Sequence, residues 1–572
     1  MLDADGGLEQ TINNFSRISF NFGPNLLAWL ELNVPDVYRG IQQADRDSAG
    51  LYGGHGSALA QAYGHLILPL ASARDRETAI AWGLDDFRRR FGRRAEGMWL
   101  PETAVDTATL SALAAAGLRF CLLAPRQAAA VRGDGDTEYS PVNEKTLDTG
   151  RPYRVDLPDE RSIVAFFYDG ALAQQLAFGD LLQDGATFAS SILERHRSES
   201  DSRLVHVATD GESYGHHHTF GEMALARALG VLEDSGATLT NYGQYLDDHP
   251  PTATVKIVEN SSWSCPHELG RWSRDCGCAS EYHEGYHQRW REPLKLALDE
   301  LRNDLHRVYL TETRELATDP SRLRDGYNGV RMSPDRPTAD ERLNQLAGRR
   351  LDSSEHAHLL AALEMDRLAL LTGTSCAWFF EEVSRIEPVQ ILRYADRALD
   401  YASRWDKGDA AGKFRERLRA IPSNNPEIGD AATLFDREVI RARVSPETIA
   451  MWTSLRRTLR LGEETLPWSA SFRDDVRVTF RGQHRSADRV AGTVTLEARH
   501  DRRLIRSAFC WIEDGPSGLF GGLLGPDAAP HFPALGHELA TMDGTQIHDR
   551  WIARLDPVLV GDDDLETEVT GT

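Results

Sequence analysis

Two short segments of this 572-residue chain hold the side chains best suited to chemistry. One is Glu96-Gly-Met-Trp-Leu-Pro-Glu-Thr103, the other Ala208-Thr-Asp-Gly-Glu-Ser-Tyr-Gly-His-His-His218. Each sets a carboxylate, Glu102 or Asp210, just after an apolar run that reads as a β-strand. In a β/α protein the C-terminal ends of the strands form the rim where ligands gather. Pro101 fixes the backbone before Glu102, and Gly211 lets the chain turn tightly after Asp210. Trp99 adds a flat apolar face of the kind sugar rings stack on. Cleavage of a glycosidic bond needs such a pair. An ionised carboxylate attacks the anomeric carbon, while a protonated one donates to the leaving oxygen. A single acidic residue after a strand is more often a helix N-cap or a solvated charge. The pairing, with aromatic, Gly and His neighbours, is what points to catalysis.

Two other clusters invite a metal reading. His216-His-His218 follows Asp210, and Cys265, His267, Cys276 and Cys278 are spaced as Cys-x-His and Cys-x-Cys. The paired Cys-x2-Cys of ordinary structural zinc sites is missing. The expectation is therefore no cofactor, with those four residues as secondary metal candidates. A metal-dependent polysaccharide deacetylase using Asp210, His216 and His217 to activate water is an alternative, but it leaves Glu102 without a role. A third reading is non-catalytic, with Trp99, Trp263, Trp272 and Trp378 as glycan-binding platforms.

The elements that must position these groups fall into three stretches. Residues 1–290 alternate strand-like runs with amphipathic helical patterns, as in βα units around a parallel sheet or barrel. The clearest strands are Gly97–Leu100, Leu118–Leu123, Ile163–Tyr168 and Leu204–Ala208. A helix is expected over Thr107–Ala116, stopped by Gly117. Another is expected over Met223–Leu232, opened by a capping box at Thr219–Glu222. Residues 291–460 read as helical, with i, i+3, i+4 apolar spacing in Pro293–Leu305, His356–Leu371 and Val389–Tyr401. Residues 320–345, rich in Asp, Arg and Pro, read as a connecting loop. Residues 461–572 read as a small β-rich domain, with strands at Val476–Phe480, Val490–Ala498 and Leu504–Ile512.

Composition narrows the partners. Lys plus Arg number 64 against 87 Asp plus Glu, a net charge of −23. A chain this acidic suits neither a nucleic-acid groove nor an anionic membrane surface. It is compatible with a neutral oligo- or polysaccharide. The cysteines, at 121, 265, 276, 278, 376 and 510, do not form a secreted disulfide pattern. The N-terminus lacks the basic and apolar regions of a signal peptide, and no run of about 18 apolar residues occurs. A cytoplasmic location is expected.

These residues resemble the family-57 glycoside hydrolases, in particular a branch with an extra C-terminal region. The Trp-Leu-Pro-Glu segment that carries that family's nucleophile corresponds to Trp99–Glu102. Its Asp-x-Glu-x-x-Gly-His segment corresponds to Asp210–His216, which makes Asp210 the acid/base, with Glu212 and His216 beside it. Gly64-His65-Leu-Ile-Leu-Pro69 resembles the family's His motif and implies that His65 contacts substrate. Trp263-Ser-Cys-Pro-His267, Arg271-Trp272 and Cys276-Gly-Cys278 resemble the segment that marks the branch. Thr374-Ser-Cys-Ala-Trp-Phe-Phe380 corresponds loosely to the last, aromatic motif, which adds Trp378. The similarity spans roughly residues 10–405. It implies an incomplete (β/α)7-type barrel, a helical subdomain and a retaining mechanism on α-glucans, by hydrolysis or transfer. The family begins with a strand bearing a His-x-Pro motif. This chain opens at Asn13–Pro24, which resembles the second unit, so a barrel short of its first strand or a start placed downstream is expected.

Overall fold

Short apolar strands separated by helices build the larger of two units in the computed structural model. The structure describes residues 12–197, 203–406, 409–459, 472–484, 487–514 and 518–524. The larger unit comprises residues 1–350 with 365–436, and the smaller residues 351–364 with 437–572.

The larger unit holds a nine-stranded sheet. In chain order its strands are β1 (Phe20–Asn21), β2 (Ala58–Gln61), β3 (Gly97–Trp99), β4 (Phe120–Leu123), β5 (Ala128–Arg132), β6 (Ser140–Pro141), β7 (Tyr153–Asp156), β8 (Ser162–Phe167) and β9 (Ala253–Ile257). Their spatial order is β1-β2-β3-β4-β8-β7-β9-β5-β6. The first five in that order pair in parallel. β7 turns back antiparallel to β8. Every residue of β2 and of β4 is buried, as expected for strands covered on both faces. The sheet with its flanking helices is the architecture of an incomplete β/α barrel.

Helix packing on this sheet is tight. The helix Ala73–Phe91 starts at Ser72, whose hydroxyl accepts from the Asp75 N–H, and ends at Gly92 in a left-handed C-cap. It lies on β2 so closely that a Cβ at Gly83 would stand 2.1 Å from the Gln61 carbonyl oxygen. Only glycine permits that approach. The same helix is tied to the later helices through Arg324, whose side chain is 4% exposed. Its guanidinium donates to Asp75 at 2.7 Å, to Thr78 at 2.8 Å and to Asp366. His306 Nδ1 lies 3.0 Å from the second Asp366 oxygen.

Three expectations are corrected. Leu204–Ala208 joins no ladder, and both edges of β8 are already taken by β4 and β7. It is held beside the end of β8 by single bonds, Asp169 N–H to His206 O at 2.9 Å and Leu204 N–H to Gly150 O at 3.1 Å. The capping box at Thr219–Glu222 does not form. The helix runs Gly221–Asp234 and its N-cap is Phe220, left-handed and without a side-chain cap. A turn closed by Gly221 N–H to His218 O leads the chain in one residue too late for Thr219. Residues 320–345 are helical: Pro320–Asp325, Tyr327–Arg331 and Arg336–Ala347. Asp319 and Asp335 accept from the Arg322 and Thr338 N–H groups as N-caps, with a proline in each first turn. The Asp-Pro signals read as loop were helix starts.

In the smaller unit, strands β10 (Phe472–His484), β11 (Ala487–Ala498), β12 (Leu504–Asp514) and β13 (Gly518–Leu524) form an antiparallel meander. The helix Pro446–Leu459 lies against it, and Trp511 Nε1–H donates to Ser454 Oγ at 3.2 Å. Among the described residues no helix is long and apolar enough to cross a membrane.

The Arg324 node predicts a stability effect. Burial alone would raise the Asp366 carboxyl, but Arg324 and His306 hold it down at about 2. A carboxylate depressed in the folded state contributes stability above its unfolded pKa of about 3.9, and that contribution is lost as pH falls toward 2. Asp366→Ala leaves the buried guanidinium short of a counter-charge, and should cost roughly 3–5 kcal/mol at neutral pH. Urea unfolding followed by fluorescence checks this, and an unchanged midpoint would contradict it.

Candidate active site

The rim at the ends of β2, β3, β4 and β8 gathers the candidate groups. Glu102 follows β3 in a left-handed conformation, φ 60° and ψ 18°. Thr103 (φ 49°) and His65 (φ 53°), just past β2, share that conformation. For non-glycine residues such backbone costs on the order of 1–3 kcal/mol each and persists only where the surroundings impose it. Here they turn side chains off the strand ends.

Glu102 is clamped by one loop. Trp263 Nε1–H donates to its Oε2 at 3.0 Å, and Ser264 Oγ–H donates to the same oxygen at 2.5 Å. The backbone holds the loop in register. Trp263 N–H donates to Glu102 O at 3.1 Å, and Val105 and Ser261 exchange a bridge of 3.0 and 3.3 Å. Arg126, past the end of β4, donates through Nε and Nη2 to Ser262 O at 3.0 and 2.5 Å. The Trp99 ring meets the Trp263 ring edge-on at 5.1 Å, and Tyr168 approaches Trp263 at 6.4 Å.

Asp210 is coupled to Glu102 through its electrostatics. Burial, then the like charges of Glu102 and Glu212, push its carboxyl up to about 6. The residue as a whole is exposed, so this carboxyl is not sealed in a core. The His65 imidazole is pulled below its ordinary value by burial, against the opposing fields of Glu102 and Glu212. It is neutral at pH 7 and lies 2.6 Å through Nδ1 from Ser375 Oγ. Burial, and then Glu102, raise the Cys376 thiol. Tyr168 is raised by burial, with Arg126 opposing and Asp210 adding. An open cavity of about 650 Å³ bounded by Arg76, Asp106, Pro158, Arg161 and Glu259 contains none of these groups. The site is defined by its charges, not by the size of a hollow.

The structure thus joins Glu102, Trp263 and Trp99 by contact, and the fields of Glu102 and Glu212 reach Asp210 and His65. It does not bring the remainder in as sugar contacts. Trp272 and Trp378 are 2% and 4% exposed, core groups closed to a ligand. Trp378 Nε1–H donates to Arg291 O at 3.2 Å. Arg271 is buried, stacked on Phe379 at 4.3 Å and bonded to Phe379 O and Ser264 O, so it braces the loop. His216 is exposed, in the turn beyond Glu212. Among the described residues, Asp210, His216 and His217 form no metal-binding group. Cys265, His267, Cys276 and Cys278 do: their ligand atoms all lie within 4.8 Å of one another. Tyr168, Ser264, Ser375 and Arg126 were missed in the sequence. Tyr168 and Arg126 had a legible signal, since both follow apolar strands as Glu102 does.

Comparison with known proteins agrees with this geometry. Residues 10–258 match the profile of glycosyl hydrolase family 57, and residues 286–554 match a domain of unknown function, DUF3536. The N-terminal region is thus similar to glycosyl hydrolase family 57. A search of curated proteins finds no significant match. Among solved structures, an exo-type maltose-forming amylase from Pyrococcus sp. ST04 superposes with a TM-score of 0.59 at 16% identity, over 78% of this chain and 82% of the amylase. At that identity the likeness shows a shared fold. A family-57 branching enzyme from Thermococcus kodakaraensis (TM-score 0.41, 16% identity, 74% and 76% of the two chains) and a 4-α-glucanotransferase from Thermococcus litoralis (0.42, 14%, 89% and 78%) match more distantly.

The clamp on Glu102 is testable. A hydrogen bond to a charged group contributes roughly 1.5–3 kcal/mol, or about 10- to 150-fold in rate if it persists into the transition state. Trp263→Phe keeps a ring and removes the donor, so kcat should fall within that range with KM little changed. A variant with normal kcat would show that the indole N–H is not used.

Proposed function

We propose that this family-57 chain is a retaining enzyme that cleaves or transfers α-glucosidic bonds, with Glu102 as nucleophile and Asp210 as acid/base. One observation carries the reading: Asp210 is pushed up to about 6 by burial and by the neighbouring charges of Glu102 and Glu212. At pH 7 a carboxyl of that pKa is protonated in about one molecule in ten, against about one in a thousand for an ordinary aspartate.

The two carboxyls then exchange roles through each other. Protonated Asp210 gives its proton to the glycosidic oxygen as Glu102 forms a bond to the anomeric carbon and the C–O bond to the leaving sugar breaks. Once Glu102 is an ester it is neutral, and its repulsion of Asp210 disappears. The Asp210 pKa falls, and the carboxylate becomes the base that deprotonates water, for hydrolysis, or a sugar hydroxyl, for transfer. Attack of that oxygen on the anomeric carbon releases Glu102. His65, neutral and oriented by Ser375, can bond a sugar hydroxyl without adding charge, and Trp99 can line the ring's apolar face.

The substrate class rests on family-57 relatives whose names are those of amylases, branching enzymes and a 4-α-glucanotransferase. A neutral oligo- or polysaccharide also suits a chain of net charge −23. We place the protein in the cytoplasm, since its six free cysteines suit a reducing compartment.

Incubation with maltooligosaccharides separates the outcomes. Shorter products alone indicate hydrolysis, a ladder of longer ones transfer, and new branch points a branching enzyme. No turnover of any α-glucan overturns the proposal. Asp210→Asn should lower kcat by about 10²–10⁴-fold. A fluorinated glucosyl fluoride, whose ester turns over slowly, should add its mass to the peptide carrying Glu102. In the wild type kcat/KM should fall as pH rises through about 6, where Asp210 loses its proton. Glu212→Gln removes a like charge, so this alkaline limb should move to lower pH; a limb that stays in place would contradict the coupling.

A further inference from the structure

We propose that Cys265, His267, Cys276 and Cys278 bind one zinc ion in a closed tetrahedral site that secures the loop presenting Trp263 and Ser264 to Glu102. The four ligand atoms lie within 4.8 Å of one another. Two of the edges can be compared with ideal geometry. Cys265 Sγ and Cys278 Sγ stand 3.8 Å apart, and Cys278 Sγ stands 3.4 Å from His267 Nδ1. A tetrahedron with Zn–S arms of about 2.3 Å and a Zn–N arm of about 2.0–2.1 Å has S–S edges of about 3.8 Å and S–N edges of about 3.5 Å. The side chains are already spaced as ligands.

Two features around the group support binding. Gly277 sits between two of the cysteines at φ 80°, the conformation that turns both thiols to one side. Most tellingly, Arg291 is fully buried and pairs with no carboxylate among the described residues. Its Nη1 lies 3.7 Å from Cys276 Sγ, and Nη2 donates to Phe380 O at 2.9 Å. A buried guanidinium needs a counter-charge. Three thiolates and a neutral imidazole around Zn²⁺ carry a net charge of −1, which supplies it, and the protons of the thiols are released to solvent on binding. Four protein ligands leave no open position for water, so the ion is structural.

The consequence for catalysis rests on the reading of Glu102; the metal site itself does not. Cys265 directly follows Ser264, and Arg271, inside the same loop, bonds the Ser264 carbonyl. Closing the four ligands around one ion pins both ends of the segment from Cys265 to Cys278, and so fixes the two donors on the Glu102 carboxylate.

The test uses the full chain, expressed with zinc supplementation and purified under reducing conditions without chelator. Elemental analysis should find about one zinc per chain, and X-ray absorption should show the sulfur-dominated shell of three thiolates and one imidazole. The Cys276→Ser/Cys278→Ser double variant should lose the metal. A zinc-specific chelator should lower the melting temperature of the wild type and leave that of the variant unchanged. If the variant does not fold, cobalt substitution of the wild type should give thiolate-to-metal charge-transfer absorption. Absence of zinc, a shell without sulfur, or an intact mass two hydrogens short, which indicates a Cys265–Cys278 disulfide, would each overturn the proposal. None of these readouts depends on glycosidase activity.

Discussion

Burial, together with the like charges of Glu102 and Glu212, sets the proton affinity of Asp210, and the proposed chemistry depends on it. Asp210 feels the charges of both Glu102 and Glu212, and like charges that couple in this way cannot all ionise freely. The chain resolves the conflict by treating the groups differently. Asp210, crowded and without a capping bond to the backbone, takes the upward shift. Glu102 is given two donors on a single oxygen. That difference separates the proposed proton carrier from the proposed nucleophile, and it lets the charge on one control the protonation of the other.

Holding Glu102 requires more than the loop that touches it. Residues 261–264 have little regular structure of their own, so their position comes from cross-braces: the Val105–Ser261 bridge, Arg126 on the Ser262 carbonyl and Arg271 on the Ser264 carbonyl. Left-handed backbone at His65, Glu102 and Thr103 is kept in place by the same network. Leu66 is bridged to Thr374, and Thr374 Oγ1–H donates to Gly64 O at 2.9 Å, which anchors the His65 turn to the segment bearing Ser375.

Behind the rim, packing supplies rigidity. Gly83 lets the helix Ala73–Phe91 sit directly on the β2 backbone, and Arg324 joins that helix to Thr78, Asp75 and Asp366 in one buried polar node. A displacement of β2 or β3 by a fraction of an ångström would misplace His65 or Glu102, and rigid elements limit such movement better than loops do.

Much of this was readable before any coordinates. The apolar runs at Gly97–Leu100, Leu118–Leu123 and Ile163–Tyr168 became β3, β4 and β8, because a strand buried on both faces needs an unbroken hydrophobic stretch. Glu102 behind the first of these runs was legible for the same reason, since a residue that follows a core strand must emerge at the rim, whereas the run before Asp210 forms no strand. Long-range partners were not legible. Nothing local in Leu204–Ala208 reveals that both edges of β8 are occupied, and nothing in Trp272 or Trp378 says that the indole is buried rather than offered to a sugar. The cysteines and His267 looked mismatched by spacing, since two half-sites joined by a long loop meet only when that loop folds back. Residue type and local pattern determined which groups could act, because secondary structure is a short-range consequence of sequence. Only the tertiary structure decided which of them face one another, because that depends on contacts between residues more than a hundred positions apart, such as Glu102 and Trp263.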